Sequence, residues 1–422
     1  MLLLFINGFK LQAILNSPYL YATVHSFLAK TLERLIQKTW YNHGGDSTKL
    51  SFMKNTWLVF PVALAIASCG TPQNKEDVNK DSSTTLNSSS NNPARSLEPK
   101  GAAPAWAPDM KDRMLVVIEK LQSYNAPPIE TLSAQQARLQ PTPAMAVMDV
   151  IKENNVSVPA PKVNKMDKDI QVNGTTLQTR VYTPTDEKAS HPLIVYYHGG
   201  GWVIADLNTY DASAQALAEK TGSVVVSVHY RQGPENKFPT AHNDAFAAYQ
   251  WVLKNADSLK GDANNISVVG ESAGGNLACN VSIMARDKGV KMPVAQVLVY
   301  PVANNDMNNA SYTKYAAAKP LNKPMMEWFA KNYLNNMSEA ADPRISLVKA
   351  KLNGLPPTMI ILAEIDPLHD EGKLLADKLE AAGVKVTHKD YSGVTHEFFG
   401  MGVLVPQAME AEDAAANFLT KR

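Results

Sequence analysis

The stretch GESAGG, from Gly270 to Gly275, follows the apolar run ISVV and places Ser272 between a predicted strand and a predicted helix. A serine on such a sharp turn exposes its hydroxyl, as in a G-x-S-x-G nucleophile elbow. The hydroxyl is a weak nucleophile unless a base, an acid that orients the base and a site for negative charge accompany it. Because G-x-S-x-G also occurs by chance in ordinary glycine-rich turns, the assignment of Ser272 depends on those partners.

A second glycine-rich stretch, HGGGW, follows the apolar run LIVYY. Three consecutive glycines leave backbone N–H groups free to converge on one point, which suits an oxyanion that needs preorganised donors. We assign the N–H groups of Gly199, Gly200 and Ala273 to this oxyanion hole. Supporting roles are assigned to four residues beside these loops: His198, Gly201, Trp202 and Glu271.

Three histidines follow Ser272 in the chain and could serve as its base. His388 lies within the predicted last strand, VTHKDY, which favours a role on the strand face. His369 lies three residues after the candidate acid, Asp366, a position from which its imidazole would not easily contact Ser272. His396 lies in the loop GVTHEFFG, just beyond the last strand, and is therefore predicted to be the base.

The candidate acid, Asp366, follows the predicted strand MIILAEI. There it would hold the tautomer of His396 and stabilise the imidazolium that forms when Ser272 attacks. Asp370 is an alternative acid, although its position favours a cap at the start of the next helix. Glu364 is a weaker alternative, because it lies inside the strand.

From residue 193 onward, short β-branched apolar runs alternate with helical patterns. Such runs fit strands that are buried on both faces of a parallel sheet, joined by right-handed crossovers. Runs near 163–172 and 177–182 predict antiparallel edge strands. The sequence therefore predicts a three-layer α/β unit over 166–422, and helical patterns over 105–165 predict a cap.

The remaining N-terminal part reads as three segments. Residues 53–68 contain a short basic start and an apolar run that is shorter than the roughly 20 residues of a membrane span but typical of a signal peptide. Residues 1–52 are then interpreted as an extension from a miscalled upstream start. Residues 69–104 are rich in serine and asparagine, which predicts a flexible tether.

The charge and cysteine content of the chain limit the classes of binding partner and scaffold that the sequence predicts. The formal net charge of the 422-residue chain is +1, so bulk charge favours neither nucleic acid nor an anionic membrane surface. The chain has two cysteines, Cys69 and Cys279, so a disulfide scaffold is not expected. Cys279 lies in the helix behind Ser272 and is predicted to be a small core residue.

Two resemblances follow from these motifs. The residues Ile66-Ala67-Ser68-Cys69 resemble the lipobox of bacterial lipoproteins, which implies lipidation of Cys69, export and anchoring to the cell envelope. The motifs HGGGW, YRQGPENKFP, GESAGG, DPLHDEG and THEFFG, in that order, resemble the hormone-sensitive-lipase family of α/β-hydrolases, the bacterial family IV esterases.

The second resemblance implies an α/β-hydrolase fold with a helical cap, which includes an insertion at about 304–342. It implies the triad Ser272, Asp366 and His396, the oxyanion hole described above, and no cofactor or metal. The expected reaction is hydrolysis of small acyl esters, of short to medium chain length, through an acyl-enzyme. The alternatives are a lipase for longer chains, an amidase or peptidase on the same fold, and a catalytically silent binding protein.

Overall fold

Residues 97–421 are described by a computed structural model, and their strands and helices follow the predicted alternation. The strands are β1 (Val163–Val172), β2 (Thr175–Pro184), β3 (His191–Tyr197), β4 (Val224–His229), β5 (Gly261–Glu271), β6 (Gln296–Val299), β7 (Thr358–Ile365) and β8 (Val386–Thr395). The helices are α1 (Asp112–Ser123), α2 (Ala134–Ala137), α3 (Pro143–Glu153), α4 (Asp211–Thr221), α5 (Thr240–Asn255), α6 (Ala273–Asp287), α7 (Ala310–Lys314), α8 (Lys323–Tyr333), α9 (His369–Ala381) and α10 (Pro406–Leu419).

The strands form one eight-stranded sheet in the order β1-β2-β4-β3-β5-β6-β7-β8. The β1–β2 and β2–β4 pairs are antiparallel, and every other pair is parallel. The predicted three-layer α/β fold with antiparallel edge strands is confirmed. Alternate residues of the central strands enter opposite cores: Val195 belongs to one buried cluster and its neighbour Tyr196 to the other. This period of two explains why the central strands read as continuous apolar runs.

The sheet order reverses at β3, which lies between β4 and β5. In open α/β sheets, ligands bind outside the carboxyl ends of the strands at such a switch point. The loop HGGGW follows β3 and Ser272 follows β5, so the topology brings the two glycine-rich stretches to the same edge.

Two separate segments lie over this edge, and hydrogen bonds join them to each other and to the loops below. Helices α1 to α3 precede the sheet, and α7 and α8 lie between β6 and β7, within the predicted insertion. Trp328 Nε1 on α8 donates to the carbonyl of Leu132 at 3.1 Å. Arg138 donates to the carbonyls of Val203 and Gly233, at 2.8 and 2.6 Å. Both segments therefore contribute to one cap.

The residues at the start of the described chain are bound to the cap. The N–H groups of Lys100 and Gly101 donate to the carboxylate of Glu119 on α1, with Gly101 N to Oε1 at 2.7 Å. Leu97 is also buried. The predicted tether reached residue 104, so its last residues are packed where a flexible segment was expected. The other predictions for 1–96, including that for Cys69, lie outside the described residues. Within 97–421, no helix is both long and apolar enough to span a bilayer.

Candidate active site

Ser272 lies between β5 and α6 with φ 56° and ψ −119°, a conformation that L-residues rarely adopt. The turn is tight because its glycines touch backbone: a Cβ on Gly270 would overlap the carbonyl of Gly274, and one on Gly274 would overlap the carbonyl of Tyr197. The amide of Ser272 donates to the carbonyl of Val299 on β6 at 2.9 Å. This geometry is that of a nucleophile elbow.

His396 and Asp366 follow the neighbouring parallel strands β8 and β7, so both lie at the sheet edge that carries Ser272. His396 Nδ1 and Asp366 Oδ2 are 2.6 Å apart, and both residues are buried. The other oxygen of Asp366 accepts the N–H of Leu368 at 2.9 Å. Burial is the largest influence on the pKa of His396 and lowers it, but the charge and hydrogen bond of Asp366, together with the charges of Glu397 and Glu271, raise that pKa above its ordinary value.

Ser272 and His396 line the same cavity, of about 310 Å³. We call it the first cavity. Its walls are mostly apolar and come from both cap segments, including Ile129 before α2 and Leu321, Met326 and Phe329 around α8. The structure therefore places Ser272, the buried His396–Asp366 pair and a mostly apolar cavity together.

In the glycine loop after β3, Gly200 and Gly201 line the first cavity, whereas Gly199 does not. Gly200 has φ +90° and Gly201 φ +57°; a Cβ on Gly200 would overlap the carbonyl of Ile204, and one on Gly201 the ring of Phe329. Within 97–421, no hydrogen-bond acceptor pairs with the N–H of Gly200, Gly201 or Ala273.

Gly199 lies against the body of the protein instead. Its carbonyl accepts the hydroxyl of Tyr230 at 3.1 Å, and a Cβ at Gly199 would overlap the hydroxyl of Tyr210. The assignment of Gly199 to the candidate oxyanion hole is therefore corrected. We assign the N–H of Gly201 in its place. The sequence had suggested only a supporting role for Gly201.

His198, Trp202 and Glu271 are buried behind the loops. His198 stacks on Tyr230, with ring centroids 4.4 Å apart, and burial lowers its pKa to about 3, so that it is neutral at ordinary pH. Trp202 stacks on a cap residue, Tyr333, at 4.9 Å. All three pack behind the loops that carry Ser272 and the consecutive glycines.

Glu271 accepts the hydroxyl of Tyr196 at 2.5 Å and also that of Tyr300. Burial raises the pKa of Glu271. Tyr300 in turn contacts the ring of His396, with centroids 4.4 Å apart. Glu271 thus helps to fix the aromatic surface on which the histidine lies.

The alternative acids and bases have other partners. Asp370 is not a helix cap, because α9 begins one residue before it; its Oδ2 accepts the N–H of Ser311 at 2.9 Å. Glu364 accepts the N–H of Gly393 at 2.9 Å. His369 and His388 both lie beside Asp390, with nitrogen–oxygen distances of 3.2 and 3.3 Å.

Glu397 is a site residue that the sequence interpretation missed. It follows His396, has φ 65°, lines the first cavity and accepts the hydroxyl of Tyr210 at 3.0 Å. Its position directly after the candidate base was the available signal. Cys279 is fully buried, as predicted, and burial raises the pKa of its thiol to about 12.

A serine elbow, a buried histidine–aspartate pair and a glycine loop at one edge of a mostly parallel, helix-covered sheet define an α/β hydrolase. Comparison with known proteins agrees, since residues 194–400 match the family model described as the alpha/beta hydrolase fold. Carboxylesterase NlhH of Mycobacterium tuberculosis is 38% identical over 241 residues, which cover 56% of this chain and 76% of NlhH. Ethyl acetate hydrolase of Pseudomonas putida is 36% identical with the same coverage of both chains.

Solved structures give the same result over more of the chain. An esterase from Pyrobaculum calidifontis superimposes with a TM-score of 0.65 at 36% identity, over 71% of this chain and 97% of that one. A thermostable esterase from Pseudomonas putida ECU1011 gives a TM-score of 0.68 at 33% identity, over 74% and 98%. This chain belongs to the α/β-hydrolase family, in its hormone-sensitive-lipase-like branch, and is a carboxylic ester hydrolase.

We expect Gly200→Ala to lower kcat for an activated ester by roughly 100-fold or more, the loss typical of one oxyanion-hole donor. The added Cβ meets the carbonyl of Ile204 and must displace the loop. Gly383→Ala is the matched control, because Gly383 also has a positive φ, +80°, but nothing within 4 Å of the Cβ position. Steady-state kinetics of both folded variants measure the effect, and equal kcat values would contradict it.

Proposed function

We propose that this protein is a serine carboxylesterase that hydrolyses short- to medium-chain acyl esters through an acyl-enzyme on Ser272. The observation that carries the proposal is the 2.6 Å contact between His396 Nδ1 and Asp366 Oδ2, beside the cavity that Ser272 and His396 both line. Because Nδ1 is engaged by the carboxylate, Nε2 is the nitrogen that would act on the serine.

In the first half-reaction, His396 Nε2 takes the proton of Ser272 as Oγ attacks the ester carbonyl carbon. The N–H groups of Gly200, Gly201 and Ala273 stabilise the tetrahedral oxyanion. When the intermediate collapses, the bond to the alkoxy oxygen breaks and His396 gives its proton to the departing alcohol. In the second half-reaction, water takes the place of the alcohol and releases the acid from Ser272.

The size and lining of the first cavity support the acyl-length preference. About 310 Å³ lies at the low end of the usual range of ligand pockets, and its walls include Leu321, Met326 and Phe329. Such a volume suits short and medium chains better than the long chains of an emulsified lipid. The names of the relatives, a carboxylesterase and an ethyl acetate hydrolase, support ester rather than amide cleavage.

Replacing Ser272 by Ala is expected to remove nearly all turnover of p-nitrophenyl butyrate, because the attacking oxygen is lost. Loss of the nucleophile of such a triad costs on the order of 10⁶ in kcat. The same substitution should abolish covalent labelling by a fluorophosphonate, as seen by intact mass. A Ser272→Ala variant that keeps its turnover or its labelling would refute the acyl-enzyme.

The pH profile should depend on Asp366. His396 must be neutral to accept a proton, so activity should fall as pH drops through a pKa that Asp366 holds above the ordinary histidine value. In Asp366→Asn the raising effect of Asp366 is lost, and only the charges of Glu397 and Glu271 oppose the lowering effect of burial. The acid limb of kcat/KM should therefore move to lower pH, while the plateau falls roughly 10⁴-fold.

Asp370→Asn is the matched control for this experiment, because Asp370 accepts from Ser311 rather than from His396. Its profile should coincide with that of the unaltered enzyme. An acid limb that stays in place in Asp366→Asn, or that moves only in Asp370→Asn, would exclude Asp366 as the partner of His396.

We further propose that the protein is exported and anchored to the bacterial cell envelope by lipid on Cys69. The sequence supports this through a basic start, an apolar run and the small residues before Cys69, in that order. The lipid serves attachment and says nothing about the substrate.

Intact-mass analysis of the protein from its native cells should show Cys69 as the lipidated N-terminus. The expected mass lacks residues 1–68 and includes the acyl groups. A free thiol at Cys69, or a peptide from residues 1–52, would contradict the anchor.

A further inference from the structure

Asn276 is a fully buried amide on α6, one helical turn after Ser272. Its Nδ2 donates to the carbonyl of Val302 at 2.9 Å and to that of Ile345 at 3.0 Å. Val302 lies just before the cap insertion, which contains α7 and α8, and Ile345 lies just after it. The helix that begins beside the candidate nucleophile therefore holds the insertion at both of its ends.

The same amide fixes the tautomer of a buried histidine, His242 on α5. Because the two carbonyls can only accept, the NH₂ group of Asn276 must face them, and its Oδ1 faces His242. His242 Nε2 lies 3.0 Å from this oxygen and must carry the proton. Its Nδ1 therefore accepts the hydroxyl of Tyr333, at 2.9 Å. Burial lowers the pKa of His242 to about 4, so the ring is neutral at ordinary pH and keeps this tautomer.

Tyr333 is the last residue of α8 and connects these hydrogen bonds to the glycine loop. Its ring stacks on that of Trp202, with centroids 4.9 Å apart. Phe329, on the same helix, packs against Gly201, since a Cβ on Gly201 would overlap the Phe329 ring. The position of α8 therefore sets the surface against which Gly201 and Trp202 rest.

The hydrogen bonds of His242 relate α8 to the helix of Ser272. Another bond at the end of α8 joins it to the loop after β4: the N–H of Phe238 donates to the carbonyl of Tyr333 at 2.9 Å. Stacked rings and apolar side chains can slide past one another at little cost, whereas a hydrogen bond is directional and short. The two bonds of His242 therefore define where α8 lies relative to α6.

We propose that Asn276, His242 and Tyr333 are positioning residues for the reaction. They hold the cap insertion at a fixed position on the nucleophile helix, and the insertion in turn keeps the N–H groups of the glycine loop directed at the oxyanion. The inference rests on the proposed esterase function and adds a determinant of its rate. Preorganised donors act only from the correct position, and a displacement of about 1 Å can cost roughly 100-fold in rate.

Tyr333→Phe tests the proposal, because it removes the hydroxyl that His242 accepts and keeps the ring that stacks on Trp202. We expect kcat for p-nitrophenyl butyrate to fall roughly tenfold while KM stays within about twofold, since a displaced oxyanion donor weakens binding of the transition state and not of the ester. The concentration of active enzyme is measured by complete labelling with a fluorophosphonate, so that a misfolded fraction does not contribute to kcat.

Tyr249→Phe is the matched control. Tyr249 lies on the same helix as His242 and is also buried, but it donates its hydroxyl to the carbonyl of Lys291, which follows α6 and lies outside the cap insertion. This variant loses a tyrosine hydroxyl bond and should keep the kcat of the unaltered enzyme. Equal kcat values for Tyr333→Phe and the unaltered enzyme would overturn the inference, as would equal losses in Tyr333→Phe and Tyr249→Phe.

Two substitutions of His242 separate its hydrogen bonds from its packing. Glutamine offers one donor for Asn276 and one acceptor for Tyr333, as the histidine tautomer does, whereas leucine offers neither. His242→Gln should therefore keep kcat within about threefold of the unaltered enzyme, and His242→Leu should lose roughly tenfold or more. Equal kcat values in these two variants would contradict a role for the hydrogen bonds.

The unaltered enzyme distinguishes a failure of this inference from a failure of the proposed function. If it does not turn over p-nitrophenyl butyrate and a fluorophosphonate leaves Ser272 unlabelled, the proposed function itself fails, and this inference with it. If the unaltered enzyme is active and labelled but kcat is the same in Tyr333→Phe, the positioning role alone is refuted.

Discussion

The hydrogen bond between His396 and Asp366 is the interaction on which the proposed chemistry of this protein depends. The His396 ring is almost completely buried, and burial alone would lower its pKa. The charge and hydrogen bond of Asp366, together with the charges of Glu397 and Glu271, raise that pKa above its ordinary value. Parallel neighbouring strands make the bond: β7 and β8 end at the same edge, so the residues that follow them meet. The remaining site residues are positioned relative to that pair by the same edge.

Sequence reasoning predicted the parts that follow from strand order. The proposed nucleophile, base and acid each follow a strand, and the carboxyl ends of parallel strands meet at one edge, so Ser272, Asp366 and His396 could be grouped before any coordinates. The error at Gly199 has a different origin. Which of three consecutive glycines points its N–H into a cavity depends on the φ of each one, and identical residue types carry no such information.

Other features depend on packing between residues that are distant in the chain. The contact of Tyr300 with His396 and the hydrogen bond from Tyr210 to Glu397 both arise where separate elements converge. A pattern of apolar and polar residues predicts which face of an element is buried, but it does not predict the neighbour on that face. The same reasoning applies to Asp370, whose position suggested a helix cap but whose carboxylate binds Ser311 on α7.

The cap is held together by the bond from Trp328 to the carbonyl of Leu132, two residues that are 196 positions apart. Because the acceptor is a backbone carbonyl, the bond depends on where the chain runs at position 132 and not on the side chain there. A transplanted N-terminal half would therefore keep the bond with almost any sequence that preserves this backbone position, whereas an insertion or deletion that shifts it would leave the indole N–H without its acceptor.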